Sequence, residues 1–312
     1  MSKKICLISF DHWNYDQHIV STLNKKNNEA FHIKLSNFKH KSIAARVKNT
    51  LIKIFLGKNP KLVQRQEYIL DQLNTREKQD IIMVINPELI DLNYHLKIKE
   101  KTHKYICYLY DSVKRHPVEH LLKGVFDEIS SFDKSDVQEY GFKEICNYNY
   151  LPQKAIKNRA ECQQDLLYIA SFDERLKLVF GLKQIFKSLK IKQKWVIVGK
   201  KTFFYRLRNL FSNKTKDLDF STKRIEEKEL HALYDTSFAI LDLVRKNQTG
   251  ISFRVFEAMA YQKKIITNNA AIKEYNFYNP NNICVINSNN PSVNKNFFES
   301  NYQALPPEIY QQ

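Results

Sequence analysis

A chain of 312 residues is long enough for two domains of roughly 150 residues, each with a core of its own. Hydrophobic residues make up 43% and charged residues 27%, the balance of a globular protein, and no apolar run approaches the roughly 20 residues that cross a bilayer. The formal charge of +17 calls for an anionic partner or surface, and by itself leaves nucleic acid, acidic lipid and polyanionic glycan open.

No leader is expected at the N-terminus, where Met1-Ser2-Lys3-Lys4 is followed by only a short apolar-leaning stretch before Asp11. β-prone runs then recur at regular intervals: Ile5–Phe10, Phe31–Leu35, Ile81–Ile85, Tyr105–Tyr110, Glu128–Phe132 and Glu144–Asn147. A second series follows at Leu166–Ala170, Trp195–Val198, Leu218–Ser221, Phe238–Leu243, Ile265–Thr267 and Ile283–Ile286. Between them lie segments of helical period, among them Asp16–Asn24, Leu62–Leu73 and Glu174–Leu189. Strands alternating with helices predict βα units and parallel sheets. The polar, basic stretch from Pro152 to Arg159 reads as a linker, so domains are expected at 1–152 and 153–290, with a polar tail at 291–312. The five cysteines are scattered without a C-x-x-C and read as reduced thiols, with Cys6, Cys107 and Cys284 inside apolar runs.

Two doubly wound domains place ligands at the carboxyl ends of their strands, so the loops there hold the candidate residues. After the first strand come Asp11, His12, Asp16 and His18, with Trp13 and Tyr15 between them. Asp11 or His12 suits a general base, and the alternative is that Asp11 or Asn14 caps the next helix. After the fourth strand come Asp111, Lys114, Arg115 and His116, where Asp111 is either a base or a helix cap. In the second half the loops are Ser171-Phe172-Asp173-Glu174-Arg175, Gly199-Lys200-Lys201 and Asp242 through Gly250. Asp217-Leu218-Asp219 matches a metal-binding spacing but stands at the start of a strand, so no metal is expected.

The densest signal runs from Gln248 to Asn269 and reads loop, helix, turn, strand. Gln248, Thr249 and Gly250 lead into a helix with Ser252 at its N-cap, Phe253, Phe256 and Ala260 at helical spacing, and Arg254 and Glu257 one turn apart. A loop feeding a helix N-terminus is an anion site, because free N–H groups and the helix dipole point at the ligand. An acid one turn further in can accept ribose hydroxyls; the alternative is an exposed Arg254–Glu257 ion pair. Lys263-Lys264 then opens the run Ile265-Ile266-Thr267, which ends in Asn268-Asn269.

This stretch resembles the nucleotide-sugar site of GT-B glycosyltransferases, and more narrowly a bacterial lipopolysaccharide or capsule group with the pattern Gln-Thr-Gly-Leu-Thr-x-Arg-x-x-Glu followed by Lys-Lys-Leu-Ile-Thr-x-Asn. Tyr110-Asp111-Ser112, Ser131 to Asp136 and Tyr275 to Tyr278 resemble further pieces of that group. The resemblance implies an α/β fold of two Rossmann-like domains facing across a cleft, with the last segment crossing back to the first domain. It implies transfer of a sugar from a nucleotide-activated donor to a growing lipopolysaccharide, O-antigen or capsule glycan, free or lipid-linked. The donor would sit on Gly199, Lys200, Arg245, Gln248, Thr249, Gly250, Arg254 and Glu257, and Asp11, His12 or Asp111 would act on the acceptor. No cofactor beyond the donor is expected, and Lys200, Lys201, Arg245 and Lys246 would neutralise the leaving diphosphate without metal. Many retaining GT-B enzymes carry a second glutamate where Thr249 stands here, so the retaining label does not follow. A catalytically silent glycan- or lipid-binding partner and a GT-B-fold epimerase or phosphorylase-like enzyme remain as alternatives. The acid-free run of basic residues from Lys39 to Arg65, over an apolar stripe from Ile43 to Phe55, is expected either to rest on anionic membrane at its cytoplasmic face or grip a polyanionic acceptor, or to be a solvated helix face. No nucleic-acid-binding pattern is present, and nucleic acid is not expected as a partner.

Overall fold

Each of the predicted β-prone runs overlaps a strand in the computed structural model, which describes residues 2–11, 14–37, 60–209 and 215–310. The chain divides after Cys146 into two units, 1–146 and 147–312. In the first unit the described elements are β1 (Lys4–Ser9), α1 (Asp16–Lys25), β2 (Glu29–Lys34), α2 (Pro60–Asn74), β3 (Gln79–Ile85), α3 (Leu92–Lys99), β4 (Thr102–Leu109), β5 (Glu128–Ser131), α4 (Lys134–Tyr140) and β6 (Lys143–Glu144). The strands form one parallel sheet in the order β2-β1-β3-β4-β5-β6. Cys6, Leu7 and Ile8 of β1 are buried in succession, the unbroken apolar run of a parallel strand covered on both faces.

The second unit contains β7 (Gln164–Ser171), α5 (Leu176–Ser188), β8 (Gln193–Val198), α6 (Thr202–Arg208), β9 (Leu218–Ser221), α7 (Glu227–Asp235), β10 (Ser237–Asp242), α8 (Phe253–Ala260), β11 (Lys264–Thr267), β12 (Ile283–Val285) and α9 (Pro307–Tyr310). Its parallel sheet runs β12-β11-β10-β7-β8-β9. Alternate residues of β7 feed opposite cores: Leu166, Tyr168 and Ala170 one, Leu167 and Ile169 the other. Burying each such large aliphatic side chain contributes about 1.5–3 kcal/mol. The expected α/β class with two doubly wound domains is what the chain adopts.

The stretch read as a linker is tied down rather than free. Asn147 Nδ2 donates to the Ile251 carbonyl at 2.8 Å, and the Lys154 N–H to that of Ala260 at 2.8 Å. Lys157 lies 2.5 Å from Asp235, and Arg159 bonds Asp165 at 2.6 and 2.9 Å. These bonds place 147–159 with the second unit. In the tail, Val293 and Phe298 are buried in the core around α5, while Leu305, Ile309 and Tyr310 pack on the core around α8, all within the second unit.

Lys263 and Lys264 are buried, with relative exposures of 2% and 0%, where a basic turn was expected. The Lys264 ammonium donates to the carbonyls of Phe297 and Ser300 at 2.7 and 2.8 Å and to the Ser300 hydroxyl at 2.6 Å. Lys263 reaches the Asp235 carbonyl at 3.1 Å. Both lysines therefore anchor chain segments instead of meeting solvent. Cys6 and Cys107 are buried, Cys284 is partly buried, and no cysteine of the five is in a disulfide. Most of the basic run from Lys39, as well as His12 and Trp13, lies outside the described residues. Among the described residues no helix is long and apolar enough to cross a membrane.

Candidate functional site

Strand order reverses between β7 and β10 in the second sheet, and the loops leaving those two strands open the crevice where such sheets bind ligands. Asp173, in the loop after β7, accepts from the Arg175 guanidinium at 2.8 and 2.7 Å and from Arg245, in the loop after β10, at 2.9 Å. Arg175 also donates to the Leu243 carbonyl at 2.7 Å, which locks the two loops together. Burial opposes ionisation of Asp173, but the two guanidinium groups outweigh it and hold its carboxyl below the usual range. Burial likewise works against the Arg175 cation, and its bonds to Asp173 more than restore it.

Asp242 ends β10 and is 1% exposed. It accepts from the Ser252 hydroxyl at 2.8 Å and from the Arg254 guanidinium. Ser252 stands at the N-cap of α8 as expected, yet its hydroxyl turns to Asp242 rather than capping the helix. Arg254 pairs with Asp242, a carboxylate other than the i, i+3 partner suggested by sequence. Asn268 and Asn269, after β11, clamp the loop. Asn268 accepts from the Val244 N–H at 2.7 Å, and Asn269 Nδ2 donates to the carbonyls of Thr249 and Gly250 at 3.1 and 3.2 Å. Gln248 also donates to the Gly250 carbonyl at 3.2 Å. Three arginines thus meet the buried Asp242 and the partly buried Asp173, and Lys200 and Lys201, after β8, and Lys246, after β10, lie exposed. At Gly199, after β8, φ is +151° and an added Cβ would meet the Phe172 Cβ at 3.4 Å, so the turn favours glycine.

Glu257 points inward. It is 3% exposed and accepts from the phenols of Tyr150 at 2.7 Å and Tyr234 at 2.8 Å. Tyr234 is buried and Tyr150 partly exposed.

In the first sheet the order reverses at β1, and the residues after it are Asp11 to Tyr15. Asp11 has φ 48°, a left-handed conformation that costs a non-glycine residue energy and is held by its surroundings. Its Oδ1 accepts from the N–H of Asp16, the first residue of α1, and its Oδ2 lies 2.7 Å from the Lys34 ammonium. Asp11 therefore caps the helix and pairs with a lysine from β2. Asp16 is fully buried, its Oδ2 accepts from the Tyr110 phenol at 3.3 Å, and its Oδ1 has no hydrogen-bond partner among the described residues. Ser9 and His32 close the cluster with a 2.8 Å bond. Asp111, after β4, pairs with Arg115 and lies 3.5 Å from His116 Nε2, and its side chain is 28% exposed. That contact raises the His116 imidazole against the cost of its burial, and Glu88 at 3.8 Å adds to it.

Asp16 is among the acids of this loop that the sequence offers as a base, and the fold buries it. Burial pushes its carboxyl up to about 7, helped by the nearby Asp11 charge and opposed by Ser9, Tyr110 and Lys34. The folded protein therefore keeps a proton that the unfolded chain releases near its ordinary value of 3.8. Stability falls as pH rises between those two values, by at most about 1.4 kcal/mol per pH unit. Asp16→Asn should remove this slope and gain on the wild type up to about pH 7. Urea unfolding across that range measures it, and parallel curves for the two proteins would reject the assignment.

No protein-family model and no curated protein sequence matches the chain. Among solved structures it is similar to a UDP-forming α,α-trehalose-phosphate synthase from Burkholderia xenovorans, with TM-score 0.59, 14% identity, and 96% of this chain and 90% of that one covered. It is also similar to the catalytic domain of starch synthase IV from Arabidopsis thaliana bound to ADP and acarbose, with TM-score 0.55, 11% identity and coverages of 92% and 88%. A third is a UDP-GlcNAc 2-epimerase from Methanocaldococcus jannaschii in complex with UDP-GlcNAc and UDP, with TM-score 0.52, 15% identity and coverages of 94% and 90%. The two α/β sheets match the GT-B fold of these proteins.

Proposed function

We propose that the chain is a glycosyltransferase that moves a sugar from a nucleotide-activated donor to a growing bacterial surface glycan, in lipopolysaccharide, O-antigen or capsule synthesis. The observation that carries this reading is the arginine cluster at the strand-order switch of the second sheet, where Arg175, Arg245 and Arg254 are held by Asp173 and Asp242 and the exposed Lys246 stands in the same β10 loop. A leaving diphosphate needs such fixed positive charge. In this reading Gly199, Lys200, Arg245, Gln248, Thr249, Gly250 and Arg254 surround the donor. Glu257 takes the ribose only by exchanging the Tyr150 phenol, the more exposed of its two partners, for a ribose hydroxyl. The acceptor oxygen bonds to the anomeric carbon and gives up its proton to a base. The bond from that carbon to the diphosphate breaks, and the nucleoside diphosphate leaves. Of Asp11 and Asp111, only Asp111 has a partly exposed carboxylate. The acceptor class places the work at the cytoplasmic face of the membrane.

No step in this scheme uses a metal. Release of nucleoside diphosphate from a panel of nucleotide sugars, in the presence of acceptor glycan, should persist in excess EDTA. Turnover lost in EDTA and restored by Mg or Mn would reject the metal-free scheme, and absence of release from every donor would reject sugar transfer. A second reading, epimerisation of a nucleotide sugar, draws support from the similarity to a UDP-GlcNAc 2-epimerase. It predicts conversion of the donor without acceptor and without nucleotide release.

A further inference from the structure

Helix α6 presents the three most exposed large apolar side chains among the described residues: Phe203 at 59%, Phe204 at 67% and Leu207 at 56%. The helix is fastened from its other side. Thr202 is buried and donates to the Gly199 carbonyl at 2.6 Å, and Tyr205 packs on Phe172 and Phe220 with ring centroids 5.0 and 5.8 Å away. Residues 202 and 205 thus face the unit, and 203, 204 and 207 share the opposite face, as helical spacing requires. The Phe203 and Phe204 rings meet edge to face at 5.5 Å and stack on no other ring among the described residues.

Basic residues flank this apolar face. Lys200, Lys201, Arg206 and Arg208 are all exposed, and none is in an ion pair among the described residues. From Arg175 to Lys216 the sequence holds thirteen lysines and arginines and not one acid. The acids that bound this run are engaged: Glu174 lies 4.0 Å from Arg245, Asp217 3.7 Å from Lys183 and Asp219 2.5 Å from Lys194. Large apolar side chains ringed by uncompensated cations fit the boundary layer of an anionic bilayer, where rings enter the headgroup region and cations meet lipid phosphates.

We propose that α6 is a membrane-docking element that inserts Phe203, Phe204 and Leu207 into an anionic lipid surface, with Arg206 and Arg208 on the headgroups. This surface is separate from the basic run that begins at Lys39, and the inference does not rest on sugar transfer. It is tested by co-sedimentation of the full chain with phosphatidylcholine vesicles, with and without phosphatidylglycerol. The wild type should bind only the anionic vesicles and lose binding as salt rises. Phe203→Ser with Phe204→Ser, and separately Arg206→Gln with Arg208→Gln, should each lower partitioning at least about tenfold while the melting midpoint stays unchanged. A Phe204→Trp variant supplies a gain of signal, since the new indole should shift to the blue on anionic vesicles alone. Equal partitioning of the Phe variant and the wild type would overturn the proposal, because binding would then come from elsewhere on the chain. So would a wild type that ignores anionic vesicles, or an indole that does not shift. A wild type that binds zwitterionic vesicles equally well would overturn the role of the cations, and with it the proposal.

Discussion

Arg175→Ala should lower stability by about 1.5–3 kcal/mol, because it removes the charge-assisted bonds of a buried guanidinium while the partly buried Asp173 keeps its bond to Arg245. Arg175 is 9% exposed, holds Asp173 with two bonds and ties the β7 loop to the Leu243 carbonyl. Arg175→Lys keeps the charge but not the fork, so it should recover only part of the loss. Arg245 is the contrasting case. Its side chain is 24% exposed, and Asp173 retains Arg175 when Arg245 is removed. Arg245→Ala should therefore fall within about 1 kcal/mol of the wild type in stability. Its nucleotide affinity should drop at least about tenfold, through loss of a charge-assisted bond to phosphate. Urea unfolding and calorimetric titration with a nucleoside diphosphate separate the two effects. Unchanged affinity in Arg245→Ala would remove the arginine cluster from the donor site.

Glu257→Ala should cost both stability and nucleotide affinity. The phenols of Tyr150 and Tyr234 lose their shared acceptor, and unsatisfied buried groups cost about 1–3 kcal/mol each, less for the partly exposed Tyr150. The melting point should fall by several degrees. If the carboxylate also reads ribose, affinity measured well below that melting point should fall at least about tenfold. Tyr150→Phe sharpens the test, since it frees one carboxylate oxygen without removing the acid. That variant should bind nucleotide at least as tightly as the wild type. A destabilised Glu257→Ala protein with unchanged affinity would assign Glu257 to packing alone and leave the ribose to another residue.

The alternation of strands and helices was legible because it is a local property. A parallel strand buried on both faces must be apolar throughout, and Phe238 to Leu241 is such a run. The candidate loops were legible for the same reason, since they follow wherever such strands end. The pairing of side chains was not legible. Arg254 has Glu257 one turn away yet turns to Asp242, because the sheet carries that carboxylate to the start of α8. Lys263 and Lys264 look like an exposed basic turn, but carbonyls of distant segments meet their ammonium groups and so permit burial. Asp173 and Arg245 stand 72 residues apart, and Tyr150 and Glu257 stand 107 apart. Hydropathy pattern reports which residues leave water, and it carries no record of which loop will arrive beside them. That was decided by the order of strands in each sheet, and with it the long-range partners of the charges in the candidate site.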